Sequence, residues 1–208
     1  MRSRRKERKR VKEKRDRRQQ KTRQSILKAF KILLTQKRYS AITVQNIVDL
    51  ADVGRSTFYA HFETKDMLLA ELCDDIRDHV VSQHLKAESS HDFSDSPPNP
   101  KTVITHIFYH LRDDHRNLVS MMADETRALF LHYFKNSLIE MFRMIWRDAI
   151  DRSDLPEGFL LNHIAGAFVN TLDWWISRQM TDTPETIAVL YLQTVEPVLA
   201  ASAKDSGV

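Results

Sequence analysis

Apolar residues are almost missing from the start of the chain and then recur at helical spacing to its far end. Between Arg2 and Arg18 only Val11 is apolar. Such a segment has no face to bury, so residues 1–18 are expected to form a flexible arm. From Ser25 onward, Ile26, Phe30, Leu33 and Leu34 fall on one side of a helix that ends near Lys37, and Arg38-Tyr39-Ser40 breaks it. A short second helix follows. Thr43 suits its N-cap, because the hydroxyl can accept a free backbone N–H of the first turn. Ile42 and Ile47 stand where the two halves of a hydrophobic staple belong, and Val44, Ile47, Val48 and Ala51 make the inner face. Asp52-Val53-Gly54 ends the pattern, and a third helix is expected over residues 55–62. A fourth begins at Lys65 under a Thr64 cap and runs through Met67, Leu68, Leu72, Ile76 and Val80 to about residue 85.

Residues 88–101 are rich in Ser, Asp and Pro, and Pro97-Pro98-Asn99-Pro100 excludes a helix through its middle. Asn99 and Pro100 suit the N-cap and first position of a following helix. Helical spacing then covers roughly 101–115, 117–123, 124–150, 157–179 and 184–203, with Asp154-Leu155-Pro156 and Thr181-Asp182-Thr183-Pro184 as punctuation. No segment alternates as a strand would, so the fold class is all-α, with about nine helices.

Charge is divided unevenly. Residues 1–24 hold fourteen Lys or Arg against three Asp or Glu, a net +11; the remainder hold eighteen against twenty-five, a net −7. A basic end on an acidic body points to a polyanion met at that end. The single cysteine, Cys73, rules out an internal disulfide and suits a reducing, cytoplasmic setting. No apolar run reaches the ~20 residues of a membrane span, and no signal-peptide pattern follows the basic start. Four glycines make a glycine-rich phosphate loop a poor fit, and no nucleophile motif or dinucleotide fingerprint is present. Neither an enzyme nor a cofactor is expected.

Two short helices joined by a tight three-residue turn, behind a packing helix, are the parts of a helix-turn-helix. The 55–62 helix divides by face. Val53, Phe58 and Phe62 are apolar and suited to pack inward, while Arg55, Ser56, Thr57, Tyr59 and His61 carry donors suited to face a groove. Arginine can read guanine bidentately, and hydroxyls can hold phosphates. The stretch from Ala41 to Leu68, with its Thr57-Phe58-Tyr59-x-x-Phe62-x-x-Lys65 core, resembles the DNA-binding signature of the TetR family of regulators, and the likeness runs from about Ser25 to Leu72. The resemblance implies that Thr43 and Gln45 meet the DNA backbone. It places Arg55 and Thr57, with Ser56 beside them, at base edges or nearby phosphates. Tyr59 and His61 would fix phosphates, and Lys65 would add one more at the start of its helix. Asp52 stands where glycine is common in the family, at a turn position expected to be left-handed; Gly54 stands where a serine often caps the recognition helix. Arg4, Arg5, Arg8, Arg10, Arg15, Arg17 and Arg18 of the arm are expected to follow phosphates or enter a minor groove.

The chain thus divides into an arm (1–18), a three-helix DNA-binding domain with a connecting helix (19–85), a linker (86–100) and a larger helical domain (101–208). The 157–179 helix is apolar nearly all round, which suggests burial on more than one side. The resemblance implies a four-helix homodimer interface from the last two helices, with Ile164, Phe168, Trp175, Leu190 and Thr194 as candidates, and hence a palindromic double-stranded operator. Family members often hold a small-molecule effector in the helices between. Phe108, Met122, Phe130, Phe134, Phe142 and Trp146 are the candidates for such a pocket, and equally for plain core. His106 and His110, four apart on one helix, have a spacing that permits two metal ligands; solvated helix histidines are the expectation, and no metal site is assigned. The expected function is sequence-specific transcriptional regulation, by a repressor that a small molecule releases. An activator, a regulator acting through a protein partner, and a less specific nucleic-acid binder using the arm remain open.

Overall fold

The computed structural model describes the backbone of residues 2–82, 99–113 and 126–201, and within those ranges the side chains from residue 16 onward except 76 and 78–82. Linker residues 86–98, the helix expected over 117–123, Met122, and the side chains of Arg4, Arg5, Arg8, Arg10 and Arg15 lie outside the described residues. Among those described, the chain forms nine α-helices and one 3-10 turn, and falls into two compact units, Met1–Leu69 and Ala70–Val208. The division lies within the fourth helix.

The first unit is built on α1 (Arg2–Gln36), whose Ile26, Phe30 and Leu34 are fully buried. Its backbone is helical through the whole basic segment, where a flexible arm was expected. The reason is local. Lys, Arg, Glu and Gln are good helix formers, no Gly or Pro interrupts them, and propagating a helix already nucleated on a packed segment costs little. At 35 residues α1 is about 52 Å long. The 3-10 turn (Tyr39–Ala41) leads into α2 (Val44–Ala51), then α3 (Arg55–Tyr59) and α4 (Lys65–Ser82). Tyr39, Ile42, Ile47, Val48, Phe58, Phe62, Leu68 and Leu69 complete the core of this unit.

In the second unit, α5 (Pro100–Asp113) packs on α9 (Pro184–Ala201), α6 (Thr126–Ile145) packs on α8 (Glu157–Ser177), and α8 packs on α9. Asn99 caps α5 as its sequence suggested, its Oδ1 accepting the Thr102 backbone N–H at 2.9 Å. One helix was expected over 124–150. Instead Trp146 leaves helical geometry (φ −113°, ψ 25°) and a short α7 (Arg147–Asp151) follows. The buried indole of Trp146 lies against Phe142 at 5.3 Å and Tyr191 at 6.4 Å, contacts that accompany the bend. Phe168 is the hub of this core. It stacks on Phe108 at 4.7 Å and meets Phe142 at 5.6 Å, Tyr191 at 5.2 Å and Phe134 at 6.1 Å. Such ring pairs add to the burial of their own area.

Candidate nucleic-acid interface

The α2–turn–α3 segment is set by local chemistry. Thr43 Oγ1 accepts the Asn46 N–H at 3.2 Å, and Asn46 Oδ1 accepts the Thr43 N–H at 3.2 Å, a reciprocal capping box. Asp52 closes α2 in the left-handed region (φ 53°, ψ 50°), as its position in the turn suggested. Its N–H meets the carbonyls of Val48 and Asp49. Gly54 precedes α3 in extended geometry and supplies no side-chain acceptor for the first turn. A Cβ there would meet only Ser56 Oγ and Thr57 Oγ1, both at 3.8 Å, so close approach is not what calls for glycine.

Beneath this segment Phe58 and Phe62 are fully buried, 5.9 Å apart. Helix α3 ends at Tyr59, yet backbone hydrogen bonds continue to Phe62, whose N–H donates to the Phe58 carbonyl at 2.9 Å. Above it, Arg55, Ser56 and Tyr59 are exposed, as are Thr43 and Gln45 at the start of α2. Tyr59 is 53% exposed although its ring meets Phe58 edge-on, so a large side chain stands out from the helix. Gln45 is partly ordered in advance, its Nε2 donating to Asp49 Oδ1 at 2.6 Å. Thr57 and His61 are half-buried. The expected donors therefore lie on one short two-helix element, with an aromatic anchor fixing its other side.

Lys65 has a different geometry from that of a free phosphate ligand. Its Nζ donates to the carbonyls of Tyr39 at 2.9 Å and Ile42 at 3.0 Å, and lies 4.2 Å from the centre of the Tyr39 ring. The Tyr39 hydroxyl donates to the neighbouring Asp66 carboxylate. Burial pushes the Lys65 ammonium below its ordinary pKa, with Asp66 opposing the shift. Lys65 thus ties the chain entering α2 to the start of α4. Arg23, which the sequence did not single out, holds the far end of α3. Its guanidinium lies 4.6 Å over the Phe62 ring and reaches the His61 carbonyl at 3.5 Å. No periodic signal could have revealed this pair, because residues 23 and 61 are far apart in the chain. Arg17 and Arg18 are exposed on α1.

In the second unit the suggested dimer residues separate. Ile164, Phe168 and Trp175 are 0% exposed within one chain and leave no surface for a partner. They belong to the inner stripe of α8. Its outer stripe carries Phe159, His163, Asn170 and Trp174, and the outer side of α9 carries Leu190 and Thr194. The suggested effector residues Phe108, Phe130, Phe134 and Phe142 are fully buried and Trp146 nearly so, all in ring contact.

Comparison with known proteins agrees with this architecture. Residues 26–72 match the family described as bacterial regulatory proteins, tetR family, and residues 98–197 match a transcriptional regulator C-terminal region. A TetR transcriptional regulator from Streptococcus agalactiae has a solved structure 32% identical to this chain. It aligns with a TM-score of 0.60 over 87% of this chain and 97% of its own. NalD of Pseudomonas aeruginosa, a repressor of a multidrug efflux pump, shares the fold at 20% identity and a TM-score of 0.54, over 89% and 99% of the two chains. The HTH-type transcriptional regulator YxbF of Bacillus subtilis is 37% identical over 84 residues. That match covers 38% of this chain but spans only 21% of the length of that relative. The chain belongs to the TetR family. It is a DNA-binding transcriptional regulator, and α2, the turn and α3 are its helix-turn-helix.

Proposed function

We propose that this regulator is a homodimeric, cytoplasmic repressor that seats α3 in the major groove of a palindromic operator and leaves it on binding a small molecule. The observation that carries the reading is the pairing of exposed Arg55, Ser56 and Tyr59 with buried Phe58 and Phe62 on the same short stretch, about two helical turns of chain. Arg55 is the candidate base reader; Thr43, Gln45 and Tyr59 hold phosphates, with Thr57 and His61 at the margin. The basic segment adds sequence-independent affinity. As a helix it is about 10–12 Å across, too wide for a ~6 Å minor groove, so it follows phosphates along the duplex. The partner subunit is met through the outer faces of α8 and α9, with Trp174, Leu190 and Thr194 in contact. The effector site lies among Phe108, Phe130, Phe134, Phe142 and Trp146, and binding parts rings that are now in contact.

Selection from a random duplex library at near-physiological salt tests the reading. Enrichment of one palindrome, with half-sites about one helical turn apart, is expected. Salt-sensitive binding without an enriched sequence overturns it in favour of an indifferent binder acting through the basic helix.

A further inference from the structure

The two histidines of α5 are not the solvated pair that their sequence suggested. His106 is 1% exposed and His110 half-buried, one helical turn apart. Their Nε2 atoms lie 2.9 Å from each other, and their ring centres 4.5 Å apart. Two imidazole nitrogens so close must share a proton or a cation, because two lone pairs facing each other repel. In the metal-free chain the shared particle is the proton of one Nε2–H.

We propose that His106 and His110 form a bidentate site for one divalent late first-row transition ion, which takes the place of that proton. The donor ring then carries its proton on Nδ1, and both rings turn about their side-chain bonds so that the two Nε2 lone pairs converge on the ion instead of on each other. At a metal–nitrogen distance of about 2.05 Å, a 2.9 Å separation gives a bite angle of about 90°. That angle belongs to tetragonal or octahedral coordination rather than to the tetrahedron of structural zinc, so Ni2+ and Cu2+ fit best. Among the described residues no group of three or more His, Cys, Asp and Glu is placed to hold an ion. These two histidines supply two neighbouring positions of the coordination sphere. His110, at the surface end of the pair, is the point of entry, and His106 is held by the core around it.

Calorimetric titration of the untagged full chain with Ni2+ tests the site. The chain holds nine histidines, so comparison among variants, not stoichiometry alone, decides. The expected result is one equivalent bound by the wild type and by His132→Gln, and lost in His110→Gln and His106→Gln. Circular dichroism accompanies each variant; should buried His106→Gln fail to fold, the half-buried His110→Gln decides alone. With Cu2+, the electron paramagnetic resonance spectrum should show two equivalent nitrogens that fall to one in His110→Gln. Binding unchanged in His110→Gln, loss in His132→Gln instead, or no binding by the wild type would overturn the proposal.

Discussion

Replacing Lys65 by methionine separates a structural role from a DNA contact. The substitution keeps the length of the side chain and removes its charge. Two hydrogen bonds from the ammonium, to the Tyr39 and Ile42 carbonyls, are lost along with its contact to the Tyr39 ring. Charged hydrogen bonds contribute about 1.5–3 kcal/mol each, and a cation over an aromatic ring at an exposed site about 0.5–1 kcal/mol. Lys65 is half-buried and already loses some hydration, so solvent screening and desolvation offset roughly half of that total. A net loss of about 2 kcal/mol is expected, all of it in the DNA-binding unit. For a unit of this size that lowers its melting temperature by about 10 °C. Calorimetry or circular dichroism is the assay, because Trp146, Trp174 and Trp175 all lie in the other unit and their fluorescence would not report it. Binding then makes the second half of the test. A phosphate contact would contribute about 0.9 to the slope of log affinity against log salt, whereas a staple contributes nothing. The structure predicts a weaker fold with an unchanged slope. An unaltered melting temperature together with a shallower slope would refute the assignment.

Four further outcomes follow from the same geometry. Arg55→Ala should cost on the order of 1–3 kcal/mol of discrimination between operator and mismatched duplex; equal losses on every sequence would assign Arg55 to phosphate. Phe168→Ala removes the hub of the aromatic core and should cost about 3–5 kcal/mol in urea unfolding followed by tryptophan fluorescence, with a loss below about 2 kcal/mol counting against a tightly packed core. Cys73 is 0% exposed and burial raises its thiol above the ordinary pKa, so Ellman's reagent should label it only on unfolding, and prompt native labelling would contradict its placement. The fourth concerns Glu185. Burial raises its pKa, but the hydrogen bond from Tyr109 and others outweigh that, so the carboxyl lies below its ordinary 4.5. A carboxylate depressed on folding stabilises above its unfolded value and loses that contribution as pH falls through the folded one. Tyr109→Phe should bring the Glu185 titration, followed by NMR, back toward 4.5, and an unmoved titration would show that the hydrogen bond does not set it.

What the sequence revealed and what it hid differ by the distance over which each interaction acts. The Thr43 cap, the left-handed Asp52 and the Asn99 cap are decided within three or four residues, where side-chain chemistry and backbone geometry share one short segment. The split of α3 into a Phe58 and Phe62 side and an Arg55 and Tyr59 side was legible for the same reason, since a helical period fixes which residues share a face. The period does not say what the face meets. On α8, apolar residues occupy both stripes, and Ile164 and Phe168 fit an interface by type as well as Phe159 and Trp174 do. Only packing on α6 and α9 decides that the first pair turns inward. Lys65 shows the same limit in a polar residue. A lysine at a helix start has the chemistry of a phosphate ligand, and what gives it other acceptors is the chain at a 3-10 turn more than twenty residues earlier, where the Tyr39 and Ile42 carbonyls both accept from its ammonium. His106 and His110 carry the lesson furthest. Their spacing of four was visible and permitted a chelate, but burial of one ring, which the surrounding core determines, turns a permitted geometry into nitrogens held 2.9 Å apart. Local rules thus locate the helix-turn-helix, while the support beneath it and the chemistry of the second unit come from long-range packing.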